Sequence, residues 1–109
     1  MINMIYIAGP MTGMPQHNFP YFRRVEQRLL QAEDTIVVNP VNIIEAAGGW
    51  KKLERDERKQ ADVIREELVT LAMCNRIHLL PGWQNSKGTR KELQIALLLG
   101  MEITEDYVG

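Results

Sequence analysis

The chain alternates short, uninterrupted apolar runs with longer stretches in which apolar residues recur every three or four positions. Met4-Ile5-Tyr6-Ile7-Ala8, closed by Gly9-Pro10, is the first run, and a run without polar alternation is the pattern of a strand covered on both faces. Asn18 then stands where an N-cap is expected and Pro20 in a first helical turn, where the missing N–H costs nothing. Phe22, Val25, Leu29 and Ala32 make the apolar stripe of this helix, with Arg23, Arg24, Glu26, Gln27 and Arg28 on its other faces. Thr35-Ile36-Val37-Val38 predicts a second strand that ends in a loop at Asn39-Pro40. One helical turn over Ile43–Ala47, stopped by Gly48-Gly49, fits the next segment without being required by it. The dense charges of Lys51–Lys59 read as solvated surface, and a second helix is marked from about residue 60 by Ala61, Ile64, Leu68, Leu71 and Ala72. Arg76–Leu80 is a third strand, stopped by Pro81-Gly82. Leu93, Ala96, Leu97 and Gly100 share a helix face, Met101–Thr104 is a weak last strand, and 107–109 is a tail.

Strands and helices in strict alternation imply right-handed crossovers, a parallel sheet and helices on both faces. The expected fold is therefore α/β, a flavodoxin-like or Rossmann-like three-layer sandwich in one domain spanning 1–109. Ligands of such sheets bind beyond the carboxyl ends of the strands. That rule gathers the Gly9–Pro15 loop, Asn39-Pro40 and the Pro81–Gly88 loop around one crevice.

Composition narrows the function. With 109 residues, 45% hydrophobic and 25% charged, the chain has the make-up of one packed globule. Thirteen basic against fourteen acidic residues leave a net charge of -1, with no cationic surplus to drive binding of a nucleic acid polymer. The single Cys74 cannot form an internal disulfide, and no apolar stretch approaches the roughly 20 residues that span a bilayer. A cytoplasmic protein without a membrane partner is expected.

Two segments carry candidate chemistry. Gly9-Pro10-Met11-Thr12-Gly13 follows strand one as a phosphate-binding turn would, although it is neither G-x-G-x-x-G nor a Walker sequence. It reads equally as a turn whose glycines supply positive φ. Ser86-Lys87-Gly88-Thr89-Arg90-Lys91-Glu92 places a hydroxyl, a glycine and a carboxylate at a helix start, where free N–H groups attract anions. Thr89-x-x-Glu92 is also the spacing of a capping box, in which Glu92 would merely return to the N-cap amide. Placed in a first turn, Glu92 would stay ionised, and an ionised carboxylate beside a crevice can attack a sugar carbon. Tyr6, in strand one, is within reach of it.

Ile5–Gly13, together with Cys74–Glu92 and notably Leu79-Leu80-Pro81-Gly82-Trp83 and Ser86-x-Gly88-x-x-x-Glu92, resembles the small phage and bacterial DUF4406 family. That family is related to the nucleoside 2-deoxyribosyltransferases and 2'-deoxynucleoside 5'-phosphate N-hydrolases. The resemblance implies that Glu92 attacks the anomeric carbon of a deoxyribosyl group and that Tyr6 orients it. It implies that Ser86 and Gly88 hold the 5' end of a nucleoside or nucleotide, with Gly9, Thr12 and Gly13 opposite, and that Lys87 adds charge for a phosphate. No cofactor is implied, and the relatives' assemblies imply a homo-oligomer. The relatives usually carry an aspartate eight residues before the position preceding strand three. Here that position is Glu67, while Asn75 stands where aspartate is common and cannot exchange a proton.

The remaining candidates read blandly. His17 and His78 have no Cys or His at ligand spacing, so no metal site is expected. Cys74 reads as a small buried hydrophobe. Trp83 and Trp50 suit stacking on a base at the crevice mouth as well as anchoring a loop. Glu67, beside Glu66, fits a solvated helix face as well as a site. The leading expectation is N-glycosidic cleavage of a deoxynucleoside or its 5'-monophosphate by Glu92, Tyr6 and Glu67, with Gly9, Thr12, Gly13, Ser86, Gly88 and Trp83 binding substrate. The alternative is a catalytically weak or inactive nucleotide-binding protein, a sensor or sequestering module, for which Asn75 is the main argument.

Overall fold

The structure is a computed structural model that describes residues 1–107; the last two residues of the expected tail lie outside the described residues. Strands β1 (Asn3–Ala8), β2 (Thr35–Val38), β3 (Arg76–Leu79) and β4 (Glu102–Glu105) form one parallel sheet in the order β2-β1-β3-β4. That is the doubly wound, flavodoxin-like order, with the topological switch point between β1 and β3. The connections are α1 (Phe19–Leu29), then α2 (Pro40–Ala46), α3 (Trp50–Leu53) and α4 (Glu57–Met73), and finally α5 (Lys87–Leu98). Among the described residues no helix is long and apolar enough to cross a membrane.

Successive side chains of β1 point to opposite faces, and the two faces are covered by different helices. Ile7 packs with Phe22 and Val25 of α1, Val41 of α2 and Leu80. Tyr6 and Ala8 pack on the other face with Ile77 and Leu79 of β3, Leu71 of α4 and Ala96 of α5. A third cluster joins Ile43 and Ile44 of α2, Leu53 of α3 and Val63 of α4.

Several elements differ from the sequence reading. There is no loop at Asn39-Pro40, because Asn39 itself caps α2 by accepting the Val41 N–H at 3.0 Å. Asn18 occupies the N-cap of α1 without capping it; its side chain donates instead to the Pro10 carbonyl at 3.0 Å. Helix α1 stops before Ala32, which is exposed. Asp56 accepts the Lys59 N–H and starts α4 four residues early, inside the charged segment. The apolar stripes are also rotated, since Ile64 and Leu97 are more than half exposed and the buried positions are Val63 and Leu71 on α4, Thr89 and Ala96 on α5. The uncovered side of β3 and β4 is closed by polar contacts: Asp106 accepts from Tyr21 Oη at 2.6 Å and from His78 Nε2 at 3.1 Å, and pairs with Arg28.

A candidate active site at the sheet's switch point

The rotated stripes explain how two carboxylates come to face the core. Val63, Glu67 and Leu71 lie four residues apart on α4, and Thr89, Glu92 and Ala96 lie three and four apart on α5. Residues so spaced share a helix face. Each glutamate therefore replaces a core side chain on the face that packs against β1. Tyr6, fully buried on that strand, meets both. Its hydroxyl lies 2.5 Å from Glu92 Oε2 and 3.3 Å from Glu67 Oε2.

Burial sets the protonation of this group. Desolvation lifts the Glu92 carboxyl to about 8, opposed by the hydrogen bond from Tyr6 and reinforced by the Glu67 charge. Glu67 is pushed up to about 7 by desolvation, again opposed by the Tyr6 bond, with Glu66 adding to the rise. The Tyr6 hydroxyl, buried between two acids, is raised well above its ordinary value and stays protonated. Two readings of the sequence are thereby corrected. Glu92 is the sixth residue of α5, not a first-turn residue kept ionised by the helix dipole. Nor is it half of a capping box: Ser86 is the N-cap, its Oγ accepting the Thr89 N–H at 3.2 Å and the Thr89 hydroxyl at 2.9 Å.

Both glutamates open onto a cavity of about 730 Å³ at the carboxyl ends of β1 and β3. Gly9 and Thr12 form one rim and Ser86, Lys87 and Gly88 the other. Trp50, Ile44, Leu53 and Val63 make an apolar end. The Trp50 ring is held by His17, stacked at 4.0 Å between centroids, and His17 lies within three consecutive left-handed residues, Gln16, His17 and Asn18. Gly9 is required by close approach and not by positive φ, since a Cβ there would stand 2.7 Å from Leu80 Cβ. A Cβ at Gly88 would meet nothing within 4 Å.

Of the residues expected at the site, Glu92, Tyr6, Glu67, Gly9, Thr12, Ser86 and Gly88 are brought together. Gly13 belongs to the same loop, with φ +80°, but is off the cavity wall. Trp83 is on the other side of α5, beside Leu93, Leu97 and Ile103, where its Nε1 donates to Glu105 at 2.7 Å. Gly82, at φ +85°, turns the chain that way. Asn75 lies at the opposite end of β3, about 13 Å of strand from the cavity; its side chain accepts the Met4 N–H and donates to the Ile2 carbonyl. It has no part in the site, so it offers no argument for lost catalysis. Gln60 lines the cavity and was not anticipated; its only signal is the seven-residue spacing from Glu67.

No curated protein matches the chain. The family model described as domain of unknown function (DUF4406) matches residues 3–105, and the chain belongs to that family.

Proposed function

We propose that the protein cleaves the N-glycosidic bond of a deoxynucleoside or deoxynucleoside 5'-monophosphate, by hydrolysis or base exchange, through a covalent deoxyribosyl–Glu92 intermediate. The observation that carries this reading is the meeting of two half-buried carboxyls on one buried tyrosine hydroxyl at a cavity wall. Because their oxygens bond a single atom at 2.5 and 3.3 Å, they are less than about 6 Å apart. Nearest oxygens that close accord with a carboxylate that attacks the sugar directly, for which the two carboxyls stand roughly 5–5.5 Å apart.

The chemistry uses the pair with one proton between them; that proton rests first on Glu92, the higher acid, and passes to Glu67 before the attack. Glu92 attacks C1' as a carboxylate and the C1'–N bond breaks with its electron pair leaving on the base. The proton held by Glu67 passes to that base. Water, or a second base, then attacks C1' and returns Glu92 as a carboxylate, its proton going to Glu67. Tyr6 acts as a positioning residue: its hydroxyl faces both carboxylate oxygens and donates at the shorter distance to Glu92. No cofactor enters this sequence. Ser86, Lys87 and Gly88 at the start of α5 suit the 5' end of the sugar, with Gly9 and Thr12 opposite, and Trp50 offers an aromatic wall for the base.

A homo-oligomer belongs to the same reading. Val69 and Met73 on α4 and Leu97 and Leu98 on α5 are more than half exposed, and such apolar side chains favour burial against another copy. A monomeric mass in solution at micromolar concentration would count against the assembly. The covalent step is tested by acid-quenching the enzyme during turnover and weighing it. A mass gain of one deoxyribosyl group on the peptide carrying Glu92 is expected, and its absence during rapid turnover would refute the intermediate.

A further inference from the structure

We infer that Gln60 reads the base held in the Glu92 cavity and distinguishes an amino-substituted edge from an oxo-substituted one; the inference rests on the glycosidic reading above. Gln60 precedes Glu67 by seven residues on α4, two turns along the same face and about 10.5 Å along the axis. Glu67 is thus at the sugar end of the cavity and Gln60 at the apolar end, with Val63 between them and Trp50 and Leu53 nearby. Gln60 is half-buried there, while Glu54, the other polar residue at that end, is exposed.

The Gln60 amide is held in one orientation. Its Nε2 donates to the Leu53 carbonyl, and turning the amide over would set Oε1 against that carbonyl, acceptor against acceptor. What remains for a ligand is one acceptor beside one donor, in fixed order. Cytosine and adenine present an exocyclic N–H beside a ring acceptor; uracil and hypoxanthine present an exocyclic oxygen beside a ring N–H. A free glutamine serves both patterns by rotating. An anchored one satisfies a single pattern, and the other leaves buried polar groups unpaired.

The test is base release from two pairs, deoxycytidine against deoxyuridine and deoxyadenosine against deoxyinosine, with their 5'-monophosphates. The native protein should favour one member of each pair by at least about tenfold in kcat/KM, in the same sense for both. Gln60→Met, similar in length and without hydrogen bonds, should bring each ratio to within about twofold, mainly by raising KM for the favoured member. Gln60→Glu, which only accepts, takes one N–H from either member and meets one acceptor of either, so it too should bring the ratios together, whether or not the methionine variant folds. Glu92-dependent turnover with ratios indifferent to Gln60 would overturn this inference alone. No turnover of any substrate by the native protein would overturn the glycosidic reading, and this inference with it.

Discussion

The Tyr6 hydroxyl donates to Glu92 Oε2 at 2.5 Å from β1, one of the two inner strands of the sheet, which ties the protonation of a helix carboxylate to the buried core of the fold. With burial and the Tyr6 bond both acting, Glu92 is the higher of the two acids, so the shared proton rests first on Glu92. The short bond from Tyr6 keeps the gap to Glu67 small by favouring charge on Glu92. The two carboxyls therefore titrate as a unit, and the singly protonated unit contains both a nucleophile and an acid.

Tyr6→Phe removes this anchor without changing the shape of the core. We predict a protein that folds as the native one does, with kcat reduced about 10- to 100-fold and KM little changed. Since the Tyr6 bond lowers both carboxyls, the acid limb of its pH–rate profile should move to higher pH. A pure packing role for Tyr6 would leave that limb in place.

On the proposed glycosidic reading, the pH–rate profile of the native protein should be a narrow bell. Below about 7 both acids are protonated and no nucleophile exists; above about 8 both are ionised and nothing protonates the base. Steady-state kcat/KM measured from pH 5 to 10 reads this directly. A rate rising smoothly to pH 10 would contradict it.

Stability should fall as pH rises. Glu92 and Glu67 have folded values above their ordinary 4.5, so between that value and 7–8 the folded state binds more protons than the unfolded one. Stability is full on the acid side and lost as pH climbs through this window. Asp106, whose carboxyl is lowered, titrates below it. Glu92→Gln removes its part of the slope and should be the more stable protein at pH 9, by on the order of 2 kcal/mol. Thermal melts of both proteins from pH 5 to 9 measure the difference.

Gly88 separates ligand binding from folding. A methyl group there meets no protein atom within 4 Å and replaces a helical glycine, so Gly88→Ala should raise stability by about 0.5–1 kcal/mol. It also adds bulk to a residue that lines the cavity. KM should therefore rise several-fold in a protein that melts higher, as kinetics and melting on one preparation would reveal.

The sheet was legible because β1 is an unbroken apolar run from Met4 to Ala8 and β2 is β-branched throughout, and the alternation of elements was enough to anticipate parallel order and the crevice at the carboxyl ends. Glu92 and Tyr6 were legible as candidates from the motif around Ser86. The state of Glu92 was not, because Ser86 and Thr89 are both good caps and a three-residue shift between them moves Glu92 from the first turn to a half-buried position in the second. Glu67 read equally as surface until Val63 and Leu71, a turn away on either side, proved to be the buried positions. Trp83 was misplaced because the left-handed Gly82 sends the chain away from the crevice. Beyond its seven-residue spacing from Glu67, Gln60 left no mark, since its orientation depends on the Leu53 carbonyl, which only the fold brings to it.

The central claim is that Glu92 breaks a glycosidic bond. Chromatographic detection of free base, from deoxyribo- and ribonucleosides and their 5'-monophosphates incubated with native protein and with Glu92→Ala, tests it most directly. The account predicts base release from at least one deoxyribosyl substrate by the native protein and loss of that release in the variant. Equal release by both proteins, or none by the native protein alongside thermal stabilisation by one of the nucleotides, would contradict it, the latter outcome pointing to a binding module.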